Sequence, residues 1–265
     1  MAKIYAVTNQ KGGVGKTTTT VNLAASLAAT KRRILMIDLD PQGNATMGSG
    51  VNKNEVELSA YDLLTKKASF EEVVARSEIG AYDVIPANGD LTAAEVELLN
   101  EIGREHRLKI VLNKVRDQYD FILIDCPPSL NMLTVNALSA ADGVIIPMQC
   151  EYYALEGLAA LMSTVEQIRE TINPHIVISG ILRTMYDPRS SLTRDVSREL
   201  EEYFGDQVYK VAIPRNIRLA EAPSHGMSAL HYDKASKGAI AYLALAGEIV
   251  RKTKAEAKKR QLAEA

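Results

Sequence analysis

Near the N-terminus, Asn9-Gln10-Lys11-Gly12-Gly13-Val14-Gly15-Lys16-Thr17-Thr18 constrains this chain more than any other stretch. It lies between an apolar run, Ile4–Val7, and a helical pattern that begins near Thr17. A glycine-rich loop in that setting turns backbone N–H groups inward at a helix N-terminus, where they can hold phosphate oxygens. Gly12, Gly13, Val14 and Gly15 form such a cradle, and Thr18 continues it into the helix. Lys16 is spaced to reach terminal phosphates, and Thr17 to ligate Mg²⁺ through its hydroxyl. The strict pattern G-x-x-x-x-G-K-[ST] fails, because Gln10 stands where its first glycine belongs. A second lysine, Lys11, follows at once. Two cations in one phosphate loop require an explanation.

Apolar runs bounded by turn residues recur along the chain: Lys3–Thr8, Arg33–Asp38, Tyr82–Pro86, Phe121–Asp125, Gly143–Met148, Ile176–Leu182 and Val208–Ile213. Amphipathic stretches at 17–30, 92–116, 131–140, 155–171, 191–204 and 236–254 alternate with them. Continuous apolar runs predict strands covered on both faces, and the alternation predicts right-handed crossovers. The expected fold is α/β: a single doubly wound domain with a mostly parallel sheet of about seven or eight strands and helices on both faces. Ligands then belong at the carboxyl ends of the strands. The predicted domain spans 1–250, and 251–265 forms a basic tail continuing the last helix. With 46% apolar and 24% charged residues, the composition is that of a soluble globular protein. No apolar run approaches a membrane span, and the N-terminus lacks a signal-peptide shape, so a cytoplasmic location is expected.

Three acids sit where such a fold would use them. Asp38 and Asp40 close the second run, on one side of an extended segment. One such carboxylate can orient an attacking water while another holds Mg²⁺ through its water shell. Asp125 ends Phe121-Ile122-Leu123-Ile124, an apolar strand closing in one acid as in a Walker B strand, and should lie near Thr17. Glu151-Tyr152-Tyr153 reads as a strand-to-helix entry with two packing tyrosines. Ile213-Pro214-Arg215-Asn216 closes the last run, where Pro214 can pack on an adenine ring and the Asn216 amide can read its polar edge. Cys126 and Cys150 lie in apolar surroundings without C-x-x-C spacing and are expected to be reduced and buried.

The loop with its extra lysine resembles those of the deviant Walker A ATPases, which include partition proteins, MinD division-site proteins and nitrogenase iron proteins. The succession N-Q-K-G-G-V-G-K-T-T, D-L-D-P-Q-G-N-A-T, D-C-P-P-S-L, P-M-Q-C-E-Y-Y-A-L-E-G and I-P-R-N-I-R-L-A-E-A-P-S-H-G narrows this to the chromosomal ParA/Soj family. The resemblance runs from Lys3 to about Gly247. It implies an ATP-dependent sandwich dimer in which Lys11 crosses to the partner's phosphates. Lys16 and Thr17 would serve their own nucleotide, Asp40 would promote hydrolysis, and Pro214 and Asn216 would bind the base. ATP and Mg²⁺ are the implied cofactors.

The net charge of −2 is no signature of a nucleic-acid binder, but its distribution is uneven. Residues 1–175 carry a net −6 and residues 176–265 a net +4, so a DNA contact should be local and C-terminal. Arg183, Arg189, Arg194 and Arg198 cluster there, with Arg215 and Arg218 in the later motif. By resemblance to Soj, Arg189 and Arg218 fall at basic positions implicated in DNA binding. Binding would be non-specific, and a dimer would double weak phosphate contacts. His231-Tyr232-Asp233-Lys234-Ala235-Ser236-Lys237-Gly238 departs from the arginines that relatives often show there, with Lys234 and Lys237 keeping the charge. The family further implies non-specific double-stranded DNA, a ParB/Spo0J-like centromere-binding protein and a link to DnaA as partners, and a nucleoid association. The alternatives are a MinD-like membrane-associated positioning ATPase and an iron–sulfur reductase. The first needs bulky apolar residues in the tail, where Leu262 is the only large aliphatic, and the second needs exposed cysteines.

Overall fold

The computed structural model describes residues 1–264, with side chains as far as Lys259. Seven strands build one sheet: β1 (Lys3–Val7), β2 (Ile34–Asp38), β3 (Ala75–Ser77), β4 (Tyr82–Ile85), β5 (Phe121–Asp125), β6 (Gly143–Gln149) and β7 (Val177–Thr184). Their order is β3-β4-β2-β5-β1-β6-β7, and every pairing is parallel except β3 with β4. The helices are α1 (Lys16–Ala29), α2 (Asn44–Gly48), α3 (Ala60–Leu64), α4 (Phe70–Val73), α5 (Leu91–Leu98) and α6 (Arg107–Val115). They continue with α7 (Met132–Ala140), α8 (Ala154–Thr171), α9 (Ser191–Phe204), α10 (Ile217–Glu221), α11 (Ala229–Tyr232) and α12 (Lys237–Glu264). The chain leaves β1 for β2 and β4 on one side and returns to β6 and β7 on the other. The carboxyl end of β1 is therefore a topological switch point, where open α/β sheets bind ligands.

Strand alternation distributes the apolar side chains between two cores. Ile4 and Ala6 of β1, Leu35 and Ile37 of β2, and Ile122 and Ile124 of β5 pack in one, with Leu112 of α6, Leu133 of α7 and Leu161 of α8. Tyr5 and Val7, Ile34 and Met36, and Phe121 and Leu123 pack in the other, with Leu23 and Leu27 of α1 and Leu245 and Ile249 of α12. The same parity carries the acids. Asp38 follows Ile34 and Met36, Asp125 follows Phe121 and Leu123, and the two are register partners across β2 and β5. Both carboxylates thus emerge toward α1.

Three stretches differ from the sequence expectation. The stretch 92–116 is two helices, because Gly103 adopts a left-handed conformation (φ 67°) between α5 and α6. The short antiparallel β3 carries no apolar run, since its central Arg76 points to an ion pair with Asp83 (2.6 Å). The third difference is Val208–Ile213, which is not a regular strand. Its backbone touches β7 through Tyr209 N to Ile181 O (3.0 Å) and Ile213 N to Arg183 O (2.8 Å). Between those contacts the Glu248 carboxylate accepts from Lys210 N (2.9 Å) and Val211 N (3.1 Å), and Arg183 Nη2 donates to Tyr209 O (2.8 Å). Side chains replace the missing ladder, so the segment satisfies its backbone without joining the sheet. Residues 251–264 continue α12, and Tyr5 Oη with Thr253 Oγ1 (3.0 Å) and Lys3 Nζ with Glu256 (3.0 Å) join that end to β1.

Replacing Glu248 by Ala leaves two N–H groups without their acceptors. The expected loss is about 1–3 kcal/mol, read as a fall in Tm of roughly 3–8 °C. Glu248→Gln, which keeps one acceptor oxygen, should lose about half as much.

Candidate nucleotide site at the switch point

The loop between β1 and α1 is held from behind. Buried Asn9 donates through Nδ2 to Pro147 O (2.8 Å) and accepts from Lys11 N through Oδ1 (3.0 Å). At the end of β7 the Thr184 hydroxyl donates to Val14 O (2.8 Å), and at the end of β6 Gln149 Nε2 donates to Gly13 O (3.3 Å). Each peptide is planar and trans, so drawing these carbonyls toward β6 and β7 turns the N–H groups of Val14 and Gly15 the other way. Gly13 (φ 71°) and Gly15 (φ 88°) take conformations that only glycine adopts readily. No atom lies within 4 Å of where a Cβ on Gly12 or Gly13 would stand. The result is an open cradle of donors at the start of α1, where the helix dipole adds positive potential.

Lys16 lies beneath this cradle, only 7% exposed, with Nζ donating to Lys11 O (3.1 Å). Burial pulls its ammonium below the ordinary range, while Asp125 and Asp40 favour the charged form. Asp125 is fully buried and accepts from Thr17 Oγ1 and Thr20 Oγ1, both at 2.8 Å. Asp38 is equally buried, but its oxygens serve its own loop: Oδ2 accepts from the Thr46 amide and hydroxyl (2.8 Å each), and Oδ1 from Asp40 N (3.1 Å). Asp38 therefore fixes the turn that presents the partly exposed Asp40, whose Oδ1 accepts from Gln42 N (2.9 Å). Burial raises both buried carboxyls, and for Asp125 the neighbouring Asp38 charge adds to it.

This donor set fits magnesium bound mainly by water and phosphate. Among the described residues no group of three His, Cys, Asp or Glu side chains could hold a metal by itself. A hydroxyl on Thr17 beside two buried acids is instead the setting in which Mg²⁺ keeps several waters and takes its remaining ligands from phosphate.

Beside the loop opens a cleft of about 400 Å³, lined by Gly15, Thr18, Met185, Ile213, Pro214 and Asn216 among others. Pro214 and Asn216, singled out in the sequence, both face this space. The Asn216 carboxamide oxygen accepts from Arg218 N (3.2 Å) as the cap of α10, which leaves its amide nitrogen as the end available to a ligand. At the other side of the loop, Lys11 Nζ pairs with Glu151 Oε2 (2.6 Å), both side chains about half exposed. The adjacent tyrosines do not pack into the core as expected. Tyr152 and Tyr153 are 75% and 71% exposed and meet edge to face, 5.1 Å between centroids.

The expected basic cluster separates. Arg183 is buried, donating to Ser197 Oγ (2.7 Å) and pairing with Glu201, and serves the fold. Arg189 is almost fully exposed and forms a two-pronged pair with Asp187 (2.9 and 2.8 Å). Arg218 pairs with Glu221 (2.7 Å) and Asp233 (3.2 Å). Cys126 and Cys150 are free thiols, both buried; burial pushes both up, Cys150 to about 11. Thr184, Gln149 and Met185 were not legible as site residues. Their sequence signal is only that they stand at or just past the ends of β6 and β7, at the ligand edge.

A protein-family model described as an AAA domain matches residues 2–178. The sporulation initiation inhibitor protein Soj of Bacillus subtilis is 53% identical over 249 residues, covering 94% of this chain and 98% of Soj. The chromosome partitioning protein ParA of Caulobacter vibrioides is 47% identical over 250 residues, covering 94% of each. A crystal structure of cobyrinic acid a,c-diamide synthase from Mycobacterium smegmatis, with bound ADP and magnesium, superposes with a TM-score of 0.84. It is 37% identical, with 96% of each chain covered.

Thr184→Val keeps the side-chain shape but frees the Val14 carbonyl. Losing one hydrogen bond of about 1 kcal/mol that orients the cradle should weaken nucleoside triphosphate binding roughly fivefold, as measured by titration calorimetry.

Proposed function

This chain belongs to the ParA/Soj family of chromosome-partitioning ATPases, and from that premise we propose that it works as an ATP-dependent dimer that binds DNA without sequence preference. The observation that carries this reading is Lys11. Unlike Lys16, it is half exposed at the mouth of the site and rests on an exposed acid. An exposed ion pair is worth about 0–1 kcal/mol, so leaving Glu151 costs little. A triphosphate enclosed between two subunits presents charge that one protomer's lysine does not neutralise, and charge-assisted bonds strengthen as water is excluded. Lys11 would cross to the partner's nucleotide, so the dimer would form with ATP and loosen with ADP.

Within one protomer, residues 12–18 would cradle the phosphates and Lys16 would bind the terminal ones. Thr17 would ligate Mg²⁺ directly, with Asp125 and Asp38 acting through its water shell. Asp40, held toward the site by Asp38, would orient the attacking water. Pro214 and Asn216 would take the base.

Arg189 and Arg218 would contact DNA phosphates. Each already holds carboxylates in the geometry a phosphate oxygen would use, and exchange of acid for phosphate accounts for weak, salt-sensitive binding. Lys234, Lys237 and the tail from 251 onward would add charge beside the ATPase body of residues 1–250. A ParB-like protein would stimulate hydrolysis and release, and a link to DnaA belongs to the same reading. Such a protein would reside in the cytoplasm on the nucleoid; among the described residues no helix is long and apolar enough to cross a membrane.

Sedimentation of Asp40→Ala tests the cycle. With ATP it should persist as a dimer that co-sediments with non-specific DNA, while ATP turnover falls at least tenfold. Adding Arg189→Ala and Arg218→Ala should remove DNA binding and leave the dimer. An Asp40→Ala protein that hydrolyses ATP normally, or stays monomeric with ATP, contradicts the proposal.

A further inference from the structure

Met185 has a left-handed backbone (φ 48°), one of four such non-glycine residues among the described ones, and of these it alone lines the cleft beside the phosphate loop. A residue with a Cβ adopts that conformation at a cost, and it persists only where the surroundings over-determine it. Here they do so from three directions. Thr184, before it, grips Val14 O. Tyr186, after it, donates its N–H to Ile213 O (2.9 Å) and bridges to Pro214 on the cleft wall. Gln149 Nε2, which donates to Gly13 O, also lies against the Met185 sulfur.

A turn alone would be better served by glycine, which takes a positive φ without strain. What glycine lacks is the side chain, and this one stands 36% exposed on a cleft walled by Ile213, Pro214 and Leu219. A polarisable thioether on an apolar wall suits the flat face of an aromatic ring. We propose that Met185 contacts the nucleotide base, and that Gln149 is the positioning residue tying it to the phosphate loop. The backbone strain is then the means by which one amide, Gln149 Nε2, spans base cleft and phosphate cradle. A purine seated against Met185 and phosphates seated on Gly13 bear on the same side chain, so each half of the ligand site orders the other. This inference rests on the reading of the cleft as the base site.

The test titrates ATP and inorganic tripolyphosphate, both with Mg²⁺, into wild type, Met185→Gly, Met185→Leu and Gln149→Leu. Glycine accepts φ 48°, so folding is not at risk. Met185→Gly should weaken ATP about five- to tenfold and tripolyphosphate by no more than about twofold, since only the base contact is lost outright. Met185→Leu, keeping the apolar bulk, should stay within about twofold for ATP. Gln149→Leu should weaken both ligands, because Gly13 O also loses its donor. Unchanged ATP affinity in Met185→Gly, or equal losses for ATP and tripolyphosphate, overturns the assignment. Pro214→Gly separates this failure from that of the underlying reading. If it too leaves ATP affinity unchanged, the cleft is not the base site; if it weakens ATP alone, the cleft stands and only Met185 is dismissed.

Discussion

The site depends on how the carbonyls of one loop are held. A phosphate loop works only if its N–H groups converge on a ligand, and a planar peptide directs N–H and C=O in opposite senses. Gln149 and Thr184 take the carbonyls of Gly13 and Val14 from the ends of β6 and β7, and Asn9 fixes the entry to the loop from Pro147 on β6. These anchors stand on β6, the neighbour of β1, and on β7 beyond it, on the side to which the chain returns when the strand order reverses. Sheet topology, rather than the glycines alone, prepares the cradle.

The acids are arranged by the same economy of position. Strand parity brings Asp38 and Asp125 out side by side toward α1, where Thr17 and Thr20 bind one and the loop after β2 binds the other. Two buried like charges raise each other's cost of ionisation, which burial alone already makes high. A neighbouring cation offsets part of that cost, and Lys16 supplies one beside Asp125. A divalent ion with its phosphates would supply more, so ligand binding and electrostatic relief would be a single event. Asp40 stays partly exposed on the turn after β2, which Asp38 holds by accepting from Asp40 N.

Much of this was legible in the sequence, for physical reasons. Glycines with a lysine and threonine have few uses between a strand and a helix, and an apolar run that ends in an acid is an unusual choice unless the acid is needed. The doubly wound sheet followed from continuous apolar runs, which bury both faces. What escaped lies where local pattern and tertiary role part company. Val208–Ile213 looks like a strand, yet the Glu248 carboxylate and the Arg183 guanidinium, far away in sequence, take its backbone groups. Arg183 looks like its basic neighbours but is consumed by that task. Tyr152 and Tyr153 look like core residues and are exposed, since the turn after β6 carries them out beside Lys11. Thr184, Gln149 and Met185 belong to ordinary residue types whose work is visible only once three strands are aligned.

In the proposed cycle the two lysines of the loop would have separate tasks: Lys16 for the chain's own nucleotide, Lys11 for the partner's. Sedimentation of Lys11→Ala with ATP, alongside nucleotide titration of the same protein, separates these tasks. The variant should bind ATP within about threefold of wild type, a difference below 1 kcal/mol, and remain monomeric at saturating ATP. A variant that dimerises with ATP as wild type does, or one that no longer binds ATP at all, would contradict it.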